Sequence, residues 1–133
     1  MTINAVTATI AGNSGHDPEL RHSSTGQPVA SFSVAVTPRR KDERGQWGDG
    51  TPTWYRVSCF GNLAENVAGS VSKGDRVICT GTVELRPWTG KDGRERTSLE
   101  LTAEDVALSM AFRTVKVGSE RYEDDLPNER PPF

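Results

Sequence analysis

Residues Val29 to Thr37 alternate between two faces, with Ala30, Phe32, Val34 and Val36 on one and Ser31, Ser33 and Ala35 on the other. Successive side chains of a strand point to opposite sides, so this run predicts a strand with one buried face. Val6, Ala8 and Ile10 share a side in the same way before Gly12-Asn13-Ser14-Gly15 breaks the pattern, which predicts an earlier strand. Between them, His16 to His22 reads as a loop followed by a short extended piece, and Ser23 to Pro28 as a turn. After Pro38 the chain runs through a long polar stretch to Pro52, predicted as a loop carrying Arg39, Arg40, Lys41, Arg44 and Trp47.

The period of two returns in Thr53 to Phe60, and here both faces carry bulky groups. Tyr55, Val57 and Cys59 fall on one side; Trp54, Arg56, Ser58 and Phe60 fall on the other. Leu63, Val67 and Val71 then recur every four residues, predicting a short helix that ends near Lys73-Gly74, with Asn62 as its N-cap and Glu65 completing a capping-box variant. Arg76 to Arg86 predicts another strand. Val77, Cys79, Val83 and Leu85 share one side, Ile78, Arg86 and Trp88 the other, and Gly81 marks a bend or bulge. Pro87 to Arg96 is predicted as a hairpin tip with Asp92-Gly93 as its turn. Thr97 to Leu108 completes the set, burying Leu99, Leu101 and Ala103, with Glu104-Asp105 as a bulge or kink before Val106 and Leu108.

This order predicts an all-β domain over residues 1–115. Five short strands with a helix between the third and fourth match the five-stranded Greek-key barrel called the OB-fold, whose long hairpins flank an oligonucleotide-binding face; the basic, Trp-bearing stretches 38–52 and 87–96 lie where those hairpins would be. Residues 116–133 lose periodicity and read as a disordered, acidic, proline-containing tail.

Charge changes the picture in one respect. The net charge of -2 divides into 14 Lys and Arg against 13 Asp and Glu up to Val117, and 2 against 5 from Gly118 onward. The body is near neutral, so any polyanion site must be local. The local pattern is suggestive: two rings around the Arg56 guanidinium suit base stacking with phosphate contact, and Arg39-Arg40-Lys41 beside them suits a phosphate-gripping flap as well as it suits a solvated turn. An unshielded Trp47 is predicted to pack on the barrel rim or to close over a ligand.

Other chemistries find little support. His16 and His22 have no Cys or carboxylate cluster at metal spacing, and no GxxxxGK[ST] phosphate loop occurs, so neither an enzyme, a metal nor a cofactor is expected. Cys59 and Cys79 are too few for a disulfide scaffold and too far apart for a CxxC motif; both fall on inward faces, where thiols are inert and where a disulfide within or between subunits is the less favoured option in a reducing compartment. No apolar run approaches the ~20 residues that span a bilayer, and the first residues lack a signal-peptide pattern, so the expected location is the cytoplasm.

Gly12-Asn13, Asp17-Pro18-Glu19, Thr53 to Val57 running into Phe60 to Glu65, Lys73 to Val77, and Arg86-Pro87-Trp88-Thr89 followed by Asp92-Gly93 together resemble the bacterial single-stranded-DNA-binding protein family over residues 3–112. The resemblance implies a homotetramer, associated with the nucleoid, that wraps single-stranded DNA with little sequence preference in replication, recombination or repair. It implies stacking by Trp54, Phe60 and Trp88. Arg40 stands where the family places a further stacking tryptophan, leaving that subsite to Trp47 or to charge. Phosphate contacts are expected from Arg39, Arg40, Lys41, Arg56, Arg86, Arg94 and Arg96. The family recruits replication and repair proteins through an acidic tip, and its counterpart here is split: Asp124, Asp125 and Leu126 come first, with Pro132 and Phe133 after Arg130. The rival to DNA binding is an OB-fold replisome adaptor or protein-interaction module of weak DNA affinity, which the near-neutral body favours and the Trp-Arg pattern opposes. A cold-shock-type RNA-binding barrel is opposed by the helix.

Overall fold

The structure, a computed structural model, describes residues 4–118. The proposed tail residues Asp124, Asp125, Leu126, Pro132 and Phe133 lie outside the described residues. Eight strands and one helix follow in the order β1 (Val6–Ser14), β2 (Glu19–His22), β3 (Pro28–Val36), β4 (Arg39–Lys41), β5 (Trp47–Asp49), β6 (Thr53–Phe60), α1 (Asn62–Ser70), β7 (Arg76–Thr89) and β8 (Glu95–Leu108).

Five of these strands close a barrel. The sheet runs β1-β7-β8-β6-β3-β2, and β1 also pairs with β3 through Asn13↔Ala35 and Ser14↔Val34, joining the ends. All pairings are antiparallel except β6 with β8, where Tyr55 to Ser58 run parallel to Leu99 to Thr102. A closed Greek-key barrel with one parallel contact and a helix between its third and fourth strands is the OB-fold arrangement. The interior is filled by the predicted alternation: Ile10, Ala30, Phe32, Val34, Val57, Cys59, Val77, Cys79 and Leu101 are buried. From α1, Ala64 and Val67 are buried, as is Val71 just after it, so the helix plugs one end of the barrel.

Two glycines allow the strands to approach. A Cβ at Gly12 would lie 2.3 Å from the carbonyl oxygen of Ala35, and one at Gly81 2.0 Å from that of Thr102. The β7–β8 register shifts at Thr80/Gly81, where Thr80 faces Asp105 and Gly81 faces Ala103. Glu104 is therefore the extra residue of the bulge, and the two sequence signals, Gly81 and Glu104-Asp105, are opposite sides of one irregularity.

Several elements differ from expectation. The stretch after Pro38 is not an irregular loop but the hairpin that the OB-fold order places there, with Arg39↔Asp49, Arg40↔Gly48 and Lys41↔Trp47 forming a separate two-stranded sheet. The Asp42 carboxylate closes its turn by accepting the N–H groups of Arg44 and Gln46 at 2.9 and 2.8 Å. The helix has no side-chain cap: Gly61, not Asn62, precedes it at φ 67°, a left-handed geometry suited to glycine, and Asn62 already lies inside the first turn. Helix α1 ends at Ser70, before Lys73-Gly74, because Val71 is extended and the Asp75 carboxylate takes the Ser72 N–H at 2.9 Å. Leu85 is exposed although it keeps the inward parity, since β7 and β8 run on as a two-stranded arm to the pair Thr89↔Glu95.

Candidate nucleic-acid interface

The outward face of β6 carries Trp54, Arg56, Ser58 and Phe60 while Val57 and Cys59 are buried, so the parity read from the sequence holds. At about 3.3 Å per residue, Trp54 and Phe60 stand about 20 Å apart along the strand. Strand β3 sets small residues beside them, pairing Ala35↔Trp54, Ser33↔Arg56, Ser31↔Ser58 and Val29↔Phe60. Beyond β3, β2 brings Arg21 opposite Val29 and Glu19 opposite Ser31. Side chains this short on β3 leave a polar trough lined by Glu19, Arg21, Val29, Ser31, Arg56 and Ser58. Arg21 was missed as a candidate; its place in the alternating run Glu19-Leu20-Arg21 was the available signal.

On the other side of β6 the parallel register continues the face through Glu100 and Thr102 of β8 to Glu84 and Thr82 of β7. Further along this arm, Arg86 faces Ser98 and Trp88 faces Arg96. The Arg96 guanidinium lies over the Trp88 ring, 5.6 Å from its centroid, and pairs with Asp92 at 3.1 Å. This fixes one side of the indole and leaves the side chain about half exposed, at 47%. Trp54, Phe60 and Trp88 thus share one continuous surface with half their area in solvent. A base that covers an exposed ring of this size removes apolar surface from water.

Trp54 is itself held. Its ring edge lies against Gly15, where a Cβ would be 2.7 Å from Cζ3. Trp47, on the hairpin, is 62% exposed, with the Lys41 Nζ 5.9 Å from its ring centroid.

The basic candidates divide into two groups. Arg39 is paired with Asp49 at 3.2 Å, Arg86 with Glu100 and Glu84, and Arg96 with Asp92. Arg40, Lys41, Arg56 and Arg94 form no ion pair among the described residues, and all are exposed. Burial pushes the Cys59 thiol up to about 11, and burial together with the neighbouring Cys59 charge pushes Cys79 up to about 12. Both are free thiols. Among the described residues no group of three or more His, Cys, Asp or Glu is arranged to hold a metal ion.

Residues 4–109 match the family described as the Single-strand binding protein family. The chain belongs to that family. It is 40% identical over 112 residues to the Single-stranded DNA-binding protein of Paenarthrobacter nicotinovorans, covering 84% of this chain and 66% of that protein. The Single-stranded DNA-binding protein of Mycolicibacterium smegmatis is also 40% identical over 112 residues, with 84% and 68% covered. The chain thus spans about two thirds of the length of these relatives. Among solved structures, the small single-stranded DNA-binding protein of Streptomyces coelicolor superimposes with a TM-score of 0.75 at 30% identity, covering 82% of this chain and 98% of that one.

Proposed function

We propose that this chain binds and protects single-stranded DNA without sequence preference, as a binding protein rather than an enzyme. The observation that carries the reading is the single outward surface on which Trp54, Phe60 and Trp88 stand half exposed around Arg56. Bases stack on the three rings, and Trp47 with Lys41 on the β4–β5 hairpin covers the strand from the side. Arg40, Lys41, Arg56 and Arg94 hold phosphates, with Arg39 and Arg96 contributing as their carboxylate partners allow. Every base has a π-face, so such a surface binds irrespective of sequence. The names of the relatives support the same reading.

The working unit is a homotetramer acting where the nucleoid exposes single strands, in replication, recombination or repair, and Asp124, Asp125, Leu126, Pro132 and Phe133 recruit partner proteins. No helix among the described residues is long and apolar enough to cross a membrane. Solution mass with and without a long oligo-dT measures assembly and stoichiometry together.

The test of the stacking mechanism is titration with oligo-dT followed by tryptophan quenching. Trp54→Ala and Trp88→Ala are each expected to lose about 1–3 kcal/mol of binding. Unchanged affinity in the double variant would rule stacking out, while weak binding by the unmodified protein itself would favour the adaptor reading, for which the near balance of charge on the body speaks.

A further inference from the structure

The row of outward residues that crosses the middle of the face contains two carboxylates. Glu84 of β7 stands directly opposite Glu100 of β8, and Glu100 stands beside Arg56 of β6. Like charges directly opposite each other on one face of an antiparallel pair repel. Arg86, the next outward residue of β7, lies between them, with Nη1 3.5 Å from Glu100 Oε2 and Nη2 3.9 Å from Glu84 Oε2. Both separations exceed a charge-assisted hydrogen bond, so charge holds the guanidinium there. Two carboxylates and the two guanidiniums of Arg56 and Arg86 sum to zero at the point where a backbone crossing the face would pass.

We infer that Glu84 and Glu100 are determinants against tight phosphate binding. They withhold Arg86 from the nucleic-acid backbone and neutralise the centre of the surface, so binding depends on the rings and the outlying hairpins. The inference rests on the single-stranded DNA reading and deepens it. An arginine already balanced by two carboxylates releases few counterions when a phosphate approaches, and that phosphate also meets both carboxylates. Glu84 is the adjustable member. Its side chain is 66% exposed and pairs only with Arg86 among the described residues, whereas that of Glu100 is 22% exposed and also flanks Arg56.

The experiment measures oligo-dT affinity across a series of salt concentrations for the unmodified protein, Glu84→Gln, Arg86→Ala and the double variant. Glu65→Gln, on α1, makes the same change in net charge outside the outward rows of β6, β7 and β8. Glu84→Gln is expected to bind about three- to tenfold more tightly at low salt and to steepen the slope of log K against log salt by about 0.7, the increment of one further phosphate. Arg86→Ala alone should weaken binding less than about twofold, yet it should abolish the gain when combined with Glu84→Gln. The inference is overturned if Glu84→Gln binds no more tightly than the unmodified protein, if Glu65→Gln produces an equal gain, or if the gain survives Arg86→Ala. Failure of the unmodified protein to bind oligo-dT at all would instead overturn the DNA-binding reading beneath it.

Discussion

The ring of Trp54 rests on Gly15. A Cβ there would approach Cζ3 to 2.7 Å and Cη2 to 3.1 Å, closer than carbon atoms pack. The glycine that follows β1 therefore sets how the indole lies on β6, a relationship between residues 39 positions apart in the sequence.

Gly15→Ala should displace that ring without unfolding the barrel, because the atom in the way is the far edge of an exposed side chain rather than backbone. The expected outcome is a loss of about 1 kcal/mol in oligo-dT binding, part of one base stack. Thermal unfolding should show Tm unchanged within about 3 °C. A variant that melts much earlier would mean that Gly15 serves the β1–β2 turn instead.

Gly81→Ala tests the opposite case. Its new methyl meets the Thr102 carbonyl at 2.0 Å, and neither β7 nor β8 can retreat without breaking the ladder at the bulge. Destabilisation of about 2–4 kcal/mol in urea unfolding is expected, since overpacking against backbone has no cheap relief. The midpoint should shift with little change in m, and the folded fraction should still quench with oligo-dT.

These two glycines mark the limit of what the chain reveals before it folds. The barrel was legible because each strand carries its own alternation, and the position of Trp54 and Phe60 opposite Val57 and Cys59 follows from parity alone. Gly81 and Glu104 each announced an irregularity locally, but only the register shows that they are one bulge. Pairings between distant strands are invisible to a local pattern. That is why Gly15 under Trp54, Arg21 across from Val29 and Glu84 opposite Glu100 went unnoticed. The strands of the β4–β5 hairpin were hidden for a different reason: Arg39-Arg40-Lys41 and Trp47-Gly48-Asp49 have no apolar alternation, so only the element order placed a hairpin there and the pairing itself showed no local signal. Leu85 misled because parity reports a side of the strand and not whether the barrel extends that far.

The two thiols offer a probe of the closed core. Cys59 on β6 and Cys79 on β7 are both fully buried, and their thiols are pushed up from 9.0 to about 11 and about 12, first by burial and for Cys79 also by the Cys59 charge. In the folded state both stay protonated where an unfolded thiol ionises, so the native form binds more protons between pH 9 and 11. Their contribution to stability is therefore complete below pH 9 and is lost as pH rises through 11 and 12. Replacing both by alanine should flatten the alkaline fall in urea stability relative to the unmodified protein. At pH 8 an aromatic disulfide reagent should leave both thiols unmodified until denaturant is added, since reaction requires an accessible thiolate. Rapid labelling of either cysteine in the native protein would mean that β6 or β7 parts readily from its neighbours and that the barrel opens on the timescale of the assay.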